Sequence, residues 1–130
     1  TILPYFRAFM GAAAALQQGQ TIIMFPEGTR TTPNQTFVFH RGAASVALRA
    51  ARTLTPVYIR CEPTTLTKNE PWYRIPARRV HFTLVVGEDL DLQPYRAQGP
   101  LPVASRAFNE DLQTHFQDAL ARLKKEADRG

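Results

Sequence analysis

Thr21-Ile22-Ile23-Met24-Phe25-Pro26-Glu27-Gly28-Thr29-Arg30 is the stretch on which the fold and the function both turn. Its first half is apolar without polar alternation and rich in β-branched side chains, so it predicts a buried strand over Thr21–Phe25. Pro26 ends that strand, because it removes a ladder donor and fixes φ. Gly28 permits a tight turn that a residue with a Cβ resists. One acid, one hydroxyl and one guanidinium (Glu27, Thr29 and Arg30) then stand together at the end of the strand. Ligands of open α/β sheets bind at such strand ends. Arg30 suits a phosphate or carboxylate, since its planar fork donates two parallel hydrogen bonds. The plainer alternative is a Glu27–Arg30 ion pair that closes the turn, and the two are compatible.

Working outward, Leu3 to Gln18 predicts a helix, with Phe6, Phe9, Met10, Ala13 and Leu16 near one face and Gly19 as its stop. Thr31 to Thr36 predicts a polar loop through Pro33 and Asn34. Gly42 to Thr53 predicts a second helix, whose free N-terminal N–H groups would face an anion. Leu54–Arg60 predicts a second strand. Strand, helix, strand in that order predicts a parallel, right-handed βαβ unit. Glu62 to Arg79 holds Pro63, Pro71 and Pro76 and predicts a loop. Val80–Val86 predicts a third strand with Phe82, Leu84 and Val86 on its buried face. Gly87 to Pro102 again predicts irregular structure. Phe108, Leu112, Phe116, Ala119, Leu120 and Leu123 predict an amphipathic helix over 104–127.

Phe25-Pro26-Glu27-Gly28-Thr29-Arg30 after an apolar run resembles the third signature block of the glycerolipid acyltransferases, typified by 1-acylglycerol-3-phosphate acyltransferase. Phe39-His40-Arg41-Gly42-Ala43 resembles the family's Phe-Lys-Arg-Gly-Ala segment. Thr55-Pro56-Val57-Tyr58-Ile59 resembles its fourth block, a Pro-Val strand beside the acyl chain. The resemblance covers residues 16–60. It implies an α/β fold, part of one acyltransferase domain spanning 1–130, with a mostly parallel sheet, flanking helices and the C-terminal amphipathic helix. It also implies transfer of a fatty acyl group from acyl-CoA or acyl carrier protein, used as substrate, to a lysophospholipid hydroxyl. By resemblance, Glu27, Gly28, Thr29, Arg30, His40, Arg41 and Gly42 bind the acceptor and its phosphate. His40 departs from the family's lysine, which is cationic across the physiological range as a histidine is not. His40 reads equally as a phosphate contact or as a surface loop residue.

A second departure concerns the catalytic pair. The family's general base is a His, oriented by an Asp five positions on. Five residues after His40, His81 and His115 stand Ser45, Val86 and Leu120. The resemblance therefore implies that the catalytic His and Asp lie upstream, and that this chain alone is inactive. A naturally degenerate relative, acting as a non-enzymatic anionic-lipid-binding module, is the alternative.

Composition narrows the partners. With 44% hydrophobic and 21% charged residues, the 130-residue chain can bury a core, and the composition argues against disorder. A single cysteine, Cys61, excludes an internal disulfide framework. The net charge is +5, and residues 1–61 carry six arginines against one acid, Glu27. That asymmetry favours anionic ligands, an anionic membrane surface or an acidic carrier protein. Trp72, Tyr73, Arg74, Ile75, Arg78 and Arg79 combine aromatic and basic character. They suit a membrane interface, or else Trp72 packs on the core. No nucleic-acid recognition signature, nucleotide loop or metal-ligand spacing is found. The longest apolar stretch, Phe9 to Leu16, falls short of the ~18 residues of a membrane span. The resemblance implies work at the cytoplasmic face of the inner membrane.

Overall fold

The computed structural model describes residues 3–28, 37–67 and 70–129, with the side chains of the first helix from Arg7 onward. The elements in chain order are α1 (Leu3–Gln17), α2 (Arg41–Ala50), β1 (Val57–Glu62), β2 (His81–Val86), α3 (Gln93–Arg96) and α4 (Leu101–Arg129). The helices carry the core. Ala44, Ala47 and Leu48 of α2 meet Ala104, Phe108 and Leu112 of α4, with Phe39 and Leu92 closing the cluster. Phe108 is 1% exposed. Alanines on α2 let α4 approach closely, and the large side chains of α4 fill the gap that they leave. On α1, Ala13 is buried, while Met10 stays 37% exposed.

The sheet differs from the expectation. Among the described residues it has two strands, β1 and β2, paired antiparallel with Val57 opposite Val86, Ile59 opposite Leu84 and Cys61 opposite Phe82. A bridge between Leu54 and Leu90 continues the pairing. A mostly parallel sheet built on a βαβ unit is therefore not formed by these residues. The reason lies in Thr21–Phe25. This stretch has no strand pairing, and Ile23 and Phe25 are 83% and 74% exposed. With the first strand unpaired, the partner of β1 is the next strand along the chain, reached by a loop, and local pairing of that kind is antiparallel.

Alternation also places β2 differently. Tyr58 points to α4, stacking edge-on against Phe116 with ring centroids 4.9 Å apart. Because side chains alternate along a strand, Val57, Ile59, Phe82, Leu84 and Val86 share the opposite face. That face is open, and Phe82, Leu84 and Val86, expected in a core, are exposed. Gly87 follows β2 at a close approach, where a Cβ would come within 3.0 Å of Pro56 and Tyr58.

Two prolines of the stretch expected to be irregular, Gly87 to Pro102, sit inside helices. Pro94 opens α3 and Pro102 lies in the first turn of α4. The first turn has no intrahelical partner for its N–H groups, so proline costs nothing there. The helix expected over 104–127 consequently begins at Leu101. Among the described residues no helix is long and apolar enough to cross a membrane.

Candidate functional site: a cleft at the start of α2

The Pro26-Glu27-Gly28 turn lies against the start of α2. Gly28 N–H donates to the Phe25 carbonyl at 3.1 Å, and Gly28 adopts φ +70°, which explains the glycine. His40 N–H donates to the Pro26 carbonyl at 2.9 Å. A Cβ built on Gly28 would stand 3.5 Å from the His40 ring. Glu27 is half-buried and Gly28 exposed. Two motifs separated by eight residues of sequence are thereby joined through one hydrogen bond. Thr29 and Arg30 lie outside the described residues. The other five expected site residues, Glu27, Gly28, His40, Arg41 and Gly42, are brought together.

His40 is the N-cap of α2, with φ −81° and ψ 142°, and its side chain makes no capping hydrogen bond. The first turn carries no acidic residue. The amides of that turn and the exposed Arg41 guanidinium therefore present positive potential to one spot. Gly42 faces open space, since a Cβ there would meet nothing within 4 Å. Packing does not require glycine at this position.

The other end of α2 is closed. Arg96 of α3 donates from Nε to the Leu48 carbonyl at 2.9 Å, and from its Nη2 to the carbonyls of Ala47, at 3.3 Å, and Ala51. A guanidinium thus caps the negative end of the helix.

The wall facing His40 and Arg41 comes from α4. A cleft of about 530 Å³ is lined by Phe39, His40, Arg41, Arg106, Asn109 and Glu110. Asn109 Nδ2 donates to the Phe39 carbonyl at 3.0 Å. One turn on, Gln113 Oε1 accepts from Phe39 N–H at 2.8 Å. Both backbone groups of Phe39 are thus held from α4, and its ring packs on Phe37 and Phe116. Asn109 Oδ1 is buried with no hydrogen-bond partner. Sequence reasoning missed this wall. Its signal was two amides four residues apart, Asn109 and Gln113, interleaved with the buried face of an amphipathic helix.

The family comparison can be set on this geometry. The family model described as Acyltransferase matches residues 7–60, from α1 through most of β1. Over that span the chain is similar to the acyltransferase family. This similarity supports acyl transfer as the general activity, with a lipid acceptor and an acyl donor as partners in general. The matched span holds the turn, the start of α2 and the uncapped amides, whereas α4 lies wholly beyond it. Comparisons with curated proteins and with solved structures return no match.

The histidines outside the site have structural surroundings. His115 turns to the sheet, with Nε2 2.5 Å from Tyr58 Oη. Burial raises the Tyr58 phenol above its usual value, and the nearby Arg122 charge partly offsets this. His81 is exposed at the edge, opposite Glu62. Trp72 is 81% exposed, so the alternative of packing on the core does not hold. Its ring meets Tyr73 edge-on at 5.8 Å.

Proposed function

We propose that this chain recognises the phosphate of a lysophospholipid acceptor such as 1-acylglycerol-3-phosphate, as part of a glycerolipid acyltransferase. The acceptor phosphate sits at the uncapped start of α2, with Arg41 and Arg30 as its cationic contacts. His40 and Gly42 shape the approach, and Glu27 and Thr29 border the glycerol. The acceptor hydroxyl attacks the thioester carbonyl of acyl-CoA or acyl carrier protein. The carbon–sulfur bond breaks, an ester forms, and the hydroxyl proton ends on the departing thiol. By the family resemblance, that proton is first taken by a His–Asp pair that this sequence does not contain. The exposed Trp72, Tyr73 and Ile75 with Arg74, Arg78 and Arg79 support docking at an anionic membrane surface, which we assign to the cytoplasmic face of the inner membrane.

One observation carries the proposal: the His40–Pro26 hydrogen bond, which sets the Pro-Glu-Gly turn against free helix amides. Vesicles containing phosphatidic acid test it. The chain should bind them more tightly than neutral vesicles and release them as salt rises. Replacing Arg30 and Arg41 with Gln should cost more binding than replacing Arg49 and Arg52. The latter pair removes equal charge at and just beyond the C-terminal end of α2, where Arg49 lies 5.8 Å from the Phe9 ring centroid. Equal losses from the two double variants would reduce the site to a diffuse basic surface.

A further inference from the structure

We infer that α4, beyond the family-matched segment, forms the second wall of the acceptor site, with Arg106 a further phosphate-side cation and Asn109 and Gln113 as positioning residues. The inference rests on the acceptor-site reading proposed above and extends it to residues that the family motifs do not include. Three observations converge on it. The first is the cleft itself, in which Arg106 stands across from His40 and Arg41. Its guanidinium pairs with Glu110 at 3.6 Å, but both side chains are largely exposed. Such a pair holds its partners weakly, so a phosphate can draw Arg106 away from Glu110.

The second is the double hold on Phe39. An amide donor and an amide acceptor from successive turns of α4 fix both the carbonyl and the N–H of the residue just before the N-cap. The direction in which α2 starts, and hence the aim of its amides, is set by α4 across some seventy residues of sequence. The third is Asn109 Oδ1. A buried acceptor without a donor costs about 1–3 kcal/mol, and this one lies beside the cleft. A hydroxyl of the bound acceptor is a donor of the right kind.

The test titrates inorganic phosphate into the full 130-residue chain while following the Arg41 and Gly42 amides by ¹H–¹⁵N spectra. Arg41→Gln should weaken binding about tenfold, as loss of a charge-assisted contact does. Arg106→Gln should weaken it about threefold, the scale of one exposed charge. Lys125→Gln, which removes the same charge near the far end of α4, should leave it within error. Asn109→Asp and Gln113→Glu each add one negative charge, one turn apart. The Glu still accepts from Phe39 N–H, whereas the Asp opposes the Phe39 carbonyl. Asn109→Asp should therefore lower affinity more than Gln113→Glu, and shift the Gly42 amide before any phosphate is added. If Arg41→Gln weakens binding while Arg106→Gln behaves like Lys125→Gln, the α4 wall is overturned and the acceptor-site reading stands. If the unaltered chain shows no saturable shift at these amides, both fall. Arg106→Gln changes an exposed residue and keeps the fold, so the outcome does not depend on whether Asn109→Asp folds.

Discussion

The two ends of α2 are finished in opposite ways. At the C-terminal end, Arg96 covers the last carbonyls with a guanidinium. At the N-terminal end, where Ser, Thr, Asp or Asn would satisfy the free amides, the cap is a histidine that makes no side-chain bond. A helix shaped by stability alone would be capped at both ends. Leaving one end open costs about 1 kcal/mol, and the open end is the one that meets the Pro-Glu-Gly turn. The contrast separates what holds α2 in place from what α2 is exposed to do.

The closed end offers the largest effect. Arg96→Met keeps most of the side-chain length but removes the three carbonyl contacts, and should destabilise the chain by ~1.5–3 kcal/mol, the scale of charged hydrogen bonds. Phosphate affinity of the folded protein should not change. Thermal melts and phosphate titration of the same sample check both halves, and a parallel loss of affinity would show that the two ends are coupled.

A smaller effect concerns how α3 is anchored to present Arg96. Tyr95 Oη donates to Asp111 Oδ2 at 2.7 Å. Burial first, and then the hydrogen bond and charge of Asp111, push the Tyr95 phenol up to about 12 from 10.0. The folded state thus holds the proton more tightly than the unfolded one. Its stabilisation is complete below about pH 10 and is lost as pH rises toward 12. Tyr95→Phe should lower stability by ~1 kcal/mol at neutral pH and flatten this alkaline decline. Tyr58, also raised, leaves a residual slope. Denaturant midpoints between pH 8 and 12 decide the matter.

The smallest effect has the most diagnostic sign. His40→Asp supplies the missing cap and should stabilise the chain by ~0.5 kcal/mol. The carboxylate would occupy the amides that a phosphate needs, so affinity should fall as stability rises. A variant that gains stability and keeps its affinity would place the anion elsewhere.

Much of this arrangement was legible in the chain itself. Pro26, Gly28 and the Arg41-Gly42 helix start mark a turn and the beginning of a helix through local chemistry alone. α4 was legible from the spacing of Phe108, Leu112 and Phe116. Strand partnership was not. Order along the chain suggested a parallel βαβ unit, but pairing is decided by which strands meet, and Thr21–Phe25 pairs with nothing among the described residues. The alternation of Phe82, Leu84 and Val86 was real, yet alternation names a face without saying what covers it. The stretch Gly87 to Pro102 suggests irregular structure through its prolines, yet the first turn of a helix accepts proline, as at Pro94 and Pro102. Asn109 and Gln113 stand four residues apart beside the buried face of α4, but their partner is the Phe39 backbone, which the spacing alone does not name.

Cys61 is the chain's single cysteine. It sits opposite Phe82 on the open side of the sheet, in line with Val57 and Ile59. One thiol-directed fluorophore would therefore attach at a single known position without any engineered cysteine. Its emission would register whether lipid, a second copy or another polypeptide comes to rest on that apolar strip.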